Sequence, residues 1–315
     1  MFTLSLTVLP VFLLLLLGAF FQRLRFPMED FWLGVDKLSY WVLFPALLFH
    51  NTSQIDFSNP LLAKYALILL CALFVTTLFV FSSTWLTKVT APVASSMLQA
   101  GVRFNSFIVL ALSVTLYGDE GLRLATLGAA VLIPSINLLL IISMVIMHGK
   151  TPENGSKLAA MPKLLSGALI RNPLILSIFL GCLVNVLGFS PIVLVSDVME
   201  MLSRAALPLA LLAVGASVKL KAIRSVGVTF VLSSIARFVI FTAVIGLMCW
   251  WLDIRGLPAL VAMLFGLVPT ATSGYALARQ LGGDSDKIAV YIAMQTLLSV
   301  FTVPVSVWLS HYFFL

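Results

Sequence analysis

Apolar residues run along this chain in long blocks, and polar residues gather in short interruptions between them. The blocks cover roughly residues 3–21, 31–50, 61–86, 92–116, 122–147, 172–189, 193–218, 225–251, 257–280 and 288–312. Each is near the ~20 residues a helix needs to cross a hydrocarbon core, and the longer ones must tilt or protrude. The pattern predicts ten transmembrane helices. Trp85, Trp250, Trp251 and Trp308 fall near block ends, where an interfacial aromatic belt would place them.

The blocks also predict a repeat. FPALLF at 44–49 and LPLALL at 207–212 each precede a polar or small cluster, His50-Asn51-Thr52-Ser53 and Gly215-Ala216-Ser217. LYGDEGLRLA (116–125) has a counterpart in LGGDSDKIA (281–289), and the pairs are offset by about 163 to 165 residues. The expected organisation is a first five-helix repeat over 1–147, a hydrophilic cytoplasmic linker over 148–171 and a second repeat over 172–315. Five spans is an odd number, so the second repeat lies inverted relative to the first. Inverted repeats recur in secondary transporters, with the solute site where the repeats meet.

Two blocks carry residues that suit lipid poorly. Block 4 holds Gly101, Arg103, Asn105 and Ser106 within QAGVRFNSF, and block 9 reads GLVPTATSGYALAR, with Pro269, Thr270, Thr272 and Ser273. Proline removes a backbone donor and clashes with the preceding turn. The hydroxyls of block 9 and the Asn105-Ser106 pair suit the capping of a restarting helix. Both blocks therefore read as broken helices that cross near the midplane. Each restarting half-helix brings roughly half a positive charge and unsatisfied N–H donors to that point. With Arg103 added, the crossing becomes an anion site. Arg103 instead snorkelling towards an interface is the competing reading, since it lies only about fifteen residues beyond Lys88; the cost of an arginine at a span centre, about 2.5–3.5 kcal/mol on translocon scales, favours the functional role. Around the crossing, Asn51, Ser135, Asn137, Arg237 and Gln295 are candidate cavity-lining residues. Arg237 reads equally as a second anion partner or as a structural group between helices, and the amides and hydroxyls as interhelical hydrogen-bond glue. Glu200 and Arg204, spaced i,i+4, predict a local salt bridge.

Composition supports the membrane reading. The 315 residues are 61% hydrophobic and 10% charged, against about 25% charged in soluble domains, and mean hydropathy is +1.12. The net charge of +7 is spread between apolar blocks, so it does not suggest nucleic acid. It does set a topology. The odd-numbered loops hold Arg23, Arg25, Lys88, Lys150, Lys157, Lys163, Arg171, Lys219, Lys221, Arg224, Arg279 and Lys287, whereas the even-numbered loops hold Lys64, Arg123 and Arg255. This excess places the odd loops in the cytoplasm and both termini outside. The first block reads as a transmembrane helix and not as a signal peptide, since no positive charge precedes it. The short chain favours a bacterial inner membrane.

Other chemistry finds little support. Cys71, Cys182 and Cys249 are isolated in apolar runs and read as buried small hydrophobes. The three histidines have no ligand spacing, so no metal and no cofactor is expected. No GxxxxGK[ST] phosphate loop occurs. Paired acids or an activated serine within spans are missing, so the chain does not read as an enzyme.

LFPALLF, NSFIVLALSVTLYGDEG, RNPLILSIFLGCLVN, ALPLALLAVGAS and VPTATSGYALARQLG, followed by the segment around Pro304, occur in order along the chain. Together they resemble the auxin efflux carrier family of permeases in its bacterial type, related to the plant PIN-type carriers and to the bile acid/auxin transporter superfamily. The resemblance implies two inverted five-helix repeats with crossed, broken helices 4 and 9. It implies a scaffold of helices 1, 2, 6 and 7, a transport domain of helices 3–5 and 8–10, and elevator-type movement of organic anions. The family's crossover asparagine falls on Asn105 and its crossover proline on Pro269. The glycine usual after the asparagine is absent, as is the second crossover asparagine of PIN-type carriers and their long cytoplasmic loop. A small mono- or dicarboxylate such as malate or malonate is therefore a better expected cargo than auxin. Coupling to H+ or Na+, and a homodimer through the scaffold helices, remain open. A membrane sensor that binds a solute without transporting it is the alternative function.

Overall fold

The computed structural model describes residues 2–28, 30–148, 167, 169–189, 193–218 and 227–315. Every element among them is helical. α1 spans Phe2–Arg23. α2 (Phe31–Leu38) and α3 (Phe44–Thr52) are joined by a π-helical turn, Ser39–Leu43. α4 covers Leu61–Thr87, α5 Ala91–Val102 and α6 Ser106–His148. α7 is Pro173–Val186 and α8 Val193–Ser217. α9 (Val228–Ser234) and α10 (Phe241–Trp251) flank a second π-helical turn, Ile235–Ile240. α11 is Gly256–Leu267, α12 Gly274–Leu281 and α13 Ser285–Phe314.

Most blocks become helices within a few residues of their predicted ends, because unbroken Leu, Ile, Val and Phe leave the backbone no partner but itself in an apolar solvent. The separation predicted between blocks 4 and 5 is present within α6, which is two helices meeting at Gly118, whose non-helical φ of 64° and ψ of −154° suit glycine. α13 begins earlier than its block, since the Asp284 side chain accepts from the Lys287 amide at 2.9 Å and caps it. The linker residues 149–166, with Lys150, Lys157 and Lys163, lie outside the described residues, as do Lys219, Lys221 and Arg224.

Among the described residues five helical stretches are long and apolar enough to cross a membrane: Leu61–Thr87, Ala91–Met147 (α5 and α6 taken together across their interruptions), Leu194–Ser217, Val228–Trp251 and Ser285–Phe314. Thr7–Arg23, Pro173–Val186 and Gly256–Leu267 are shorter apolar helices. Large apolar side chains face outward, among them Phe74 and Phe179 (each 61% exposed) and Phe301 (75%). Such surfaces suit lipid and not water. Of the cysteines, only Cys249 is buried; Cys71 and Cys182 are half-exposed thiols, so the burial expected for all three holds for one. Glu200 and Arg204 form the predicted pair at 2.6 Å.

The chain packs as two compact units. Unit 1 comprises Met1–Tyr65, Ser106–Ile133 and Ile170–Val218; unit 2 comprises Ala66–Asn105, Pro134–Leu169 and Lys219–Leu315. In unit 1, α1 and α2 pack on α8, and α3 packs on α7 and α8. Trp32 and Val35 pack with Ala213 and Ala216, and Phe21 stacks on Trp32 at 6.0 Å. Three glycines set the helix spacing there: a Cβ on Gly18 would overlap the Leu212 carbonyl, one on Gly215 the Leu15 carbonyl, and one on Gly181 the Thr52 hydroxyl and the Phe49 carbonyl. The Asn185 amide donates to the Ser53 and Ile55 carbonyls at 2.8 Å, satisfying acceptors just past the end of α3. In unit 2, α5 packs against α9, α12 and α13, while α11 packs against α10 and α13.

Candidate functional site

Both predicted breaks are present, and both lie in unit 2 up to Asn105. α5 ends where Arg103 turns extended (φ −71°, ψ 146°), and the backbone stays non-helical until Ser106 opens α6. α11 ends where Val268 does the same (φ −85°, ψ 151°), and helix resumes at Gly274. At the second break the cause is local: Pro269 has no N–H and biases the residue before it towards extended backbone. No proline marks the first break. There the chain is held open by tertiary bonds: the backbone N–H of Asn105 donates to the Pro269 carbonyl at 2.8 Å, tying one break to the other.

A buried polar network surrounds this tie. The Thr270 amide donates to Gln295 Oε1 at 3.0 Å, and Thr270 Oγ1 donates to the Gln99 carbonyl at 3.1 Å. Gln295 Nε2 donates to the Ala100 carbonyl at 3.3 Å and to Ser234 Oγ at 3.4 Å. Arg237 Nη1 donates to the Val102 and Arg103 carbonyls at 3.2 and 3.3 Å, at the frayed end of α5. Its guanidinium lies over the Phe241 ring, 4.3 Å from the centroid. Arg103 Nη2 donates to Asn137 Oδ1 at 2.9 Å. Asn105, Thr270, Gln295 and Arg237 are buried, and in so apolar a setting each such bond is stronger than in water.

The structure thus brings Arg103, Asn105, Asn137, Arg237, Pro269, Thr270 and Gln295 to one locus. Gly101 has a packing reason to be there: a Cβ would come within 2.8 Å of Val80 Cγ2 and 3.2 Å of Ala236 Cβ. Gly266, likewise next to last in its helix, would overlap Thr242. The expected capping by hydroxyls fails in α12. Ser273 occupies the N-cap position in helical conformation without a side-chain bond, and the Thr270 hydroxyl is committed to α5 instead. Thr272 is half-buried, Ser273 exposed, and Ser106 half-buried at the first position of α6; Ser135 is half-buried within α6. Asn51 belongs to unit 1, where its amide donates to the Leu47 carbonyl of its own helix at 2.9 Å.

Sequence reasoning missed Gln99 and Ser234. Gln99 is fully buried, and neither atom of its side-chain amide has a hydrogen-bond partner among the described residues. Its Oε1 lies against the start of α12, 3.4 Å from where a Gly274 Cβ would be. The available signal was an uncompensated glutamine inside an apolar block, overshadowed by the nearby charge. No Asp or Glu falls within 91–105 or 256–281. The locus therefore presents cationic and hydrogen-bond-donating groups without carboxylates of its own.

No curated protein matches the sequence. Residues 3–307 match the family described as membrane transport protein. That match spans nearly the whole chain, agrees with the apolar helices and covers both breaks. The chain is thus an integral, multi-pass membrane protein that belongs to the membrane transport protein family, the family of the auxin efflux carriers.

Proposed function

We propose that the chain is a secondary permease for small organic anions, with mono- or dicarboxylates such as malate or malonate as cargo. The observation that carries this reading is the backbone tie between two helix breaks, Asn105 to Pro269, with Arg103 two residues before it, its guanidinium on Asn137, and no acidic residue at either break. A carboxylate there meets a guanidinium and the N-terminus of a half-helix, and charge-assisted hydrogen bonds are the strongest the site can offer.

An inverted repeat underlies the site in this reading, and several correspondences support it. α5 and α11 are each 12 residues long and begin 165 positions apart, and Gly101 and Gly266 share that offset. The contacts Gly18–Leu212 and Gly181–Phe49 exchange under an offset of 163. Elevator-type alternating access then moves the break-bearing helices against a scaffold of α1–α3, α7 and α8, helices that fall in one unit together with Ser106–Ile133 of α6. The excess of Lys and Arg in odd loops supports an orientation with both termini outside, in a bacterial inner membrane.

Counterflow into proteoliposomes, run with a panel of labelled carboxylates, tests the proposal. Saturable uptake is expected from the wild type. A hydrogen bond to a charged group is worth about 1.5–3 kcal/mol, so Arg103→Gln is expected to weaken apparent affinity roughly 10- to 100-fold. Uptake unchanged in Arg103→Gln removes Arg103 from the site. Carboxylate binding without flux makes the protein a sensor.

A further inference from the structure

The helices that leave the two breaks differ in their surroundings. The start of α6 is enclosed: every residue from Phe107 to Ser113 is buried. α12 is not. It packs on α5 and α13 and buries Gly274 and Ala278, while Tyr275, Ala276, Arg279 and Gln280 are exposed, as is Ser273 just before it. Its depth follows from its neighbours. Gly274 lies against Gln99 and Ile288, and Gly283, past its far end, against Ser95. Gln99 comes roughly 12 Å along α5 from Ala91. α12 therefore runs beside α5, within a stretch long and apolar enough to cross a membrane.

At that depth an outward face meets either lipid or water, and composition separates the two. The outward faces of α4, α7 and α13 carry Phe74, Phe179 and Phe301. That of α12 carries a phenol, an amide and a guanidinium, with Ala276 as its small apolar residue. Charged groups at membrane depth are costly against lipid and are found where they line water and solute paths. Arg279 is in no ion pair among the described residues, where the pairs are Arg204–Glu200 and Arg255–Asp253. Asp284 and Asp286 lie beyond the Gly282 turn, and Asp284 is engaged in capping α13.

We propose that the exposed face of α12 is the wall of a water-filled entry running from the α12–α13 turn to the second break, and that Arg279 draws small anions into it. Only the identity of those anions rests on the carrier reading. A fixed positive charge in a confined aqueous entry raises the local concentration of anions. Burial of Phe107–Ser113 leaves no such face on the other half-helix, so in this conformation the entry serves one side of the membrane.

Thiol labelling of the full chain in right-side-out and inside-out membrane vesicles, in a background without the three native cysteines, tests both parts. Ala276→Cys and Gln280→Cys are treated with small anionic and cationic methanethiosulfonates, which react in water and do not cross the bilayer. Two positions are used so that loss of one variant leaves the test intact. The Asp284 amide donates to the Pro92 carbonyl at 3.1 Å, so Lys88, just before α5, marks the end at which the entry opens. Both cysteines are expected to react from the side on which Lys88→Cys reacts. They are expected to do so roughly tenfold or more faster than Phe301→Cys, whose thiol is as accessible but stays protonated in lipid. Residues three apart on a helix lie about 5–6 Å from each other. One charge at that range acts in opposite senses on the two reagents, so Arg279→Gln is expected to lower the anion-to-cation rate ratio at Ala276→Cys roughly tenfold at low salt. Rates no faster than that of Phe301→Cys place the face in lipid and overturn the entry. Reaction from the side on which Ser58→Cys reacts overturns it too. A rate ratio unchanged by Arg279→Gln overturns the role of Arg279. Labelling as expected without counterflow of any carboxylate leaves the entry standing and removes the carrier; counterflow with unreactive cysteines does the reverse.

Discussion

At the residue scale the site depends on a few amides and guanidinia whose partners lie far off in sequence. Gln295 satisfies the Thr270 amide and the Ala100 carbonyl at once. Gln295→Leu leaves both groups buried and unpaired, at about 1–3 kcal/mol each. A marked drop in thermal stability in detergent is the expected result. Gln295→Glu is expected to be protonated in so apolar a setting, which keeps an acceptor for Thr270 and one O–H donor, so its loss is expected to be smaller. Arg103 and Asn105 were legible because a charge and an amide within an apolar run are costly and rare. Gln99 and Ser234 were not, since single amides and hydroxyls occur in many membrane helices as glue, and only packing tells which of them meet.

Among the elements, the two breaks arise differently. Pro269 announces the second in the sequence. The first has no comparable residue, because what ends α5 is the Asn105–Pro269 tie and the Arg237 bonds to its last carbonyls. Pro269→Ala restores a donor and relaxes the restriction on Val268, so slower amide hydrogen exchange across 268–273 and reduced counterflow are expected. Close helix approach is the second element-scale feature. Gly266→Leu drives a side chain into Thr242, and overpacking of this kind costs about 1–3 kcal/mol or more. Loss of folded yield is expected. Gly34→Ala is the matched control: nothing lies within 4 Å of the added carbon, so no loss of yield is expected.

For the whole molecule, the orientation read from Lys and Arg is open to a direct check. In a background without the three native cysteines, Ser58→Cys in an even loop is expected to react with a membrane-impermeant thiol reagent added outside intact cells. Lys88→Cys in an odd loop is expected to react only after the membrane is opened. Both positions are solvent-exposed in the structure, so access depends on the side of the membrane alone. Labelling with the opposite pattern inverts the topology and, with it, the direction in which each half-helix points. The sequence alone determined the class of molecule: blocks of apolar residues in a membrane must satisfy their own backbone, and a helix does so locally, whatever its neighbours. It determined also that blocks 4 and 9 are unusual, because proline, glycine and arginine act on the helix that contains them. Only the tertiary structure decided which groups answer one another. Thr270 and Gln99 are 171 positions apart, Gln295 and Ala100 195, and Arg237 and Arg103 134. Period and propensity carry no information over such separations, so the partners of a buried donor emerge only when the helices pack.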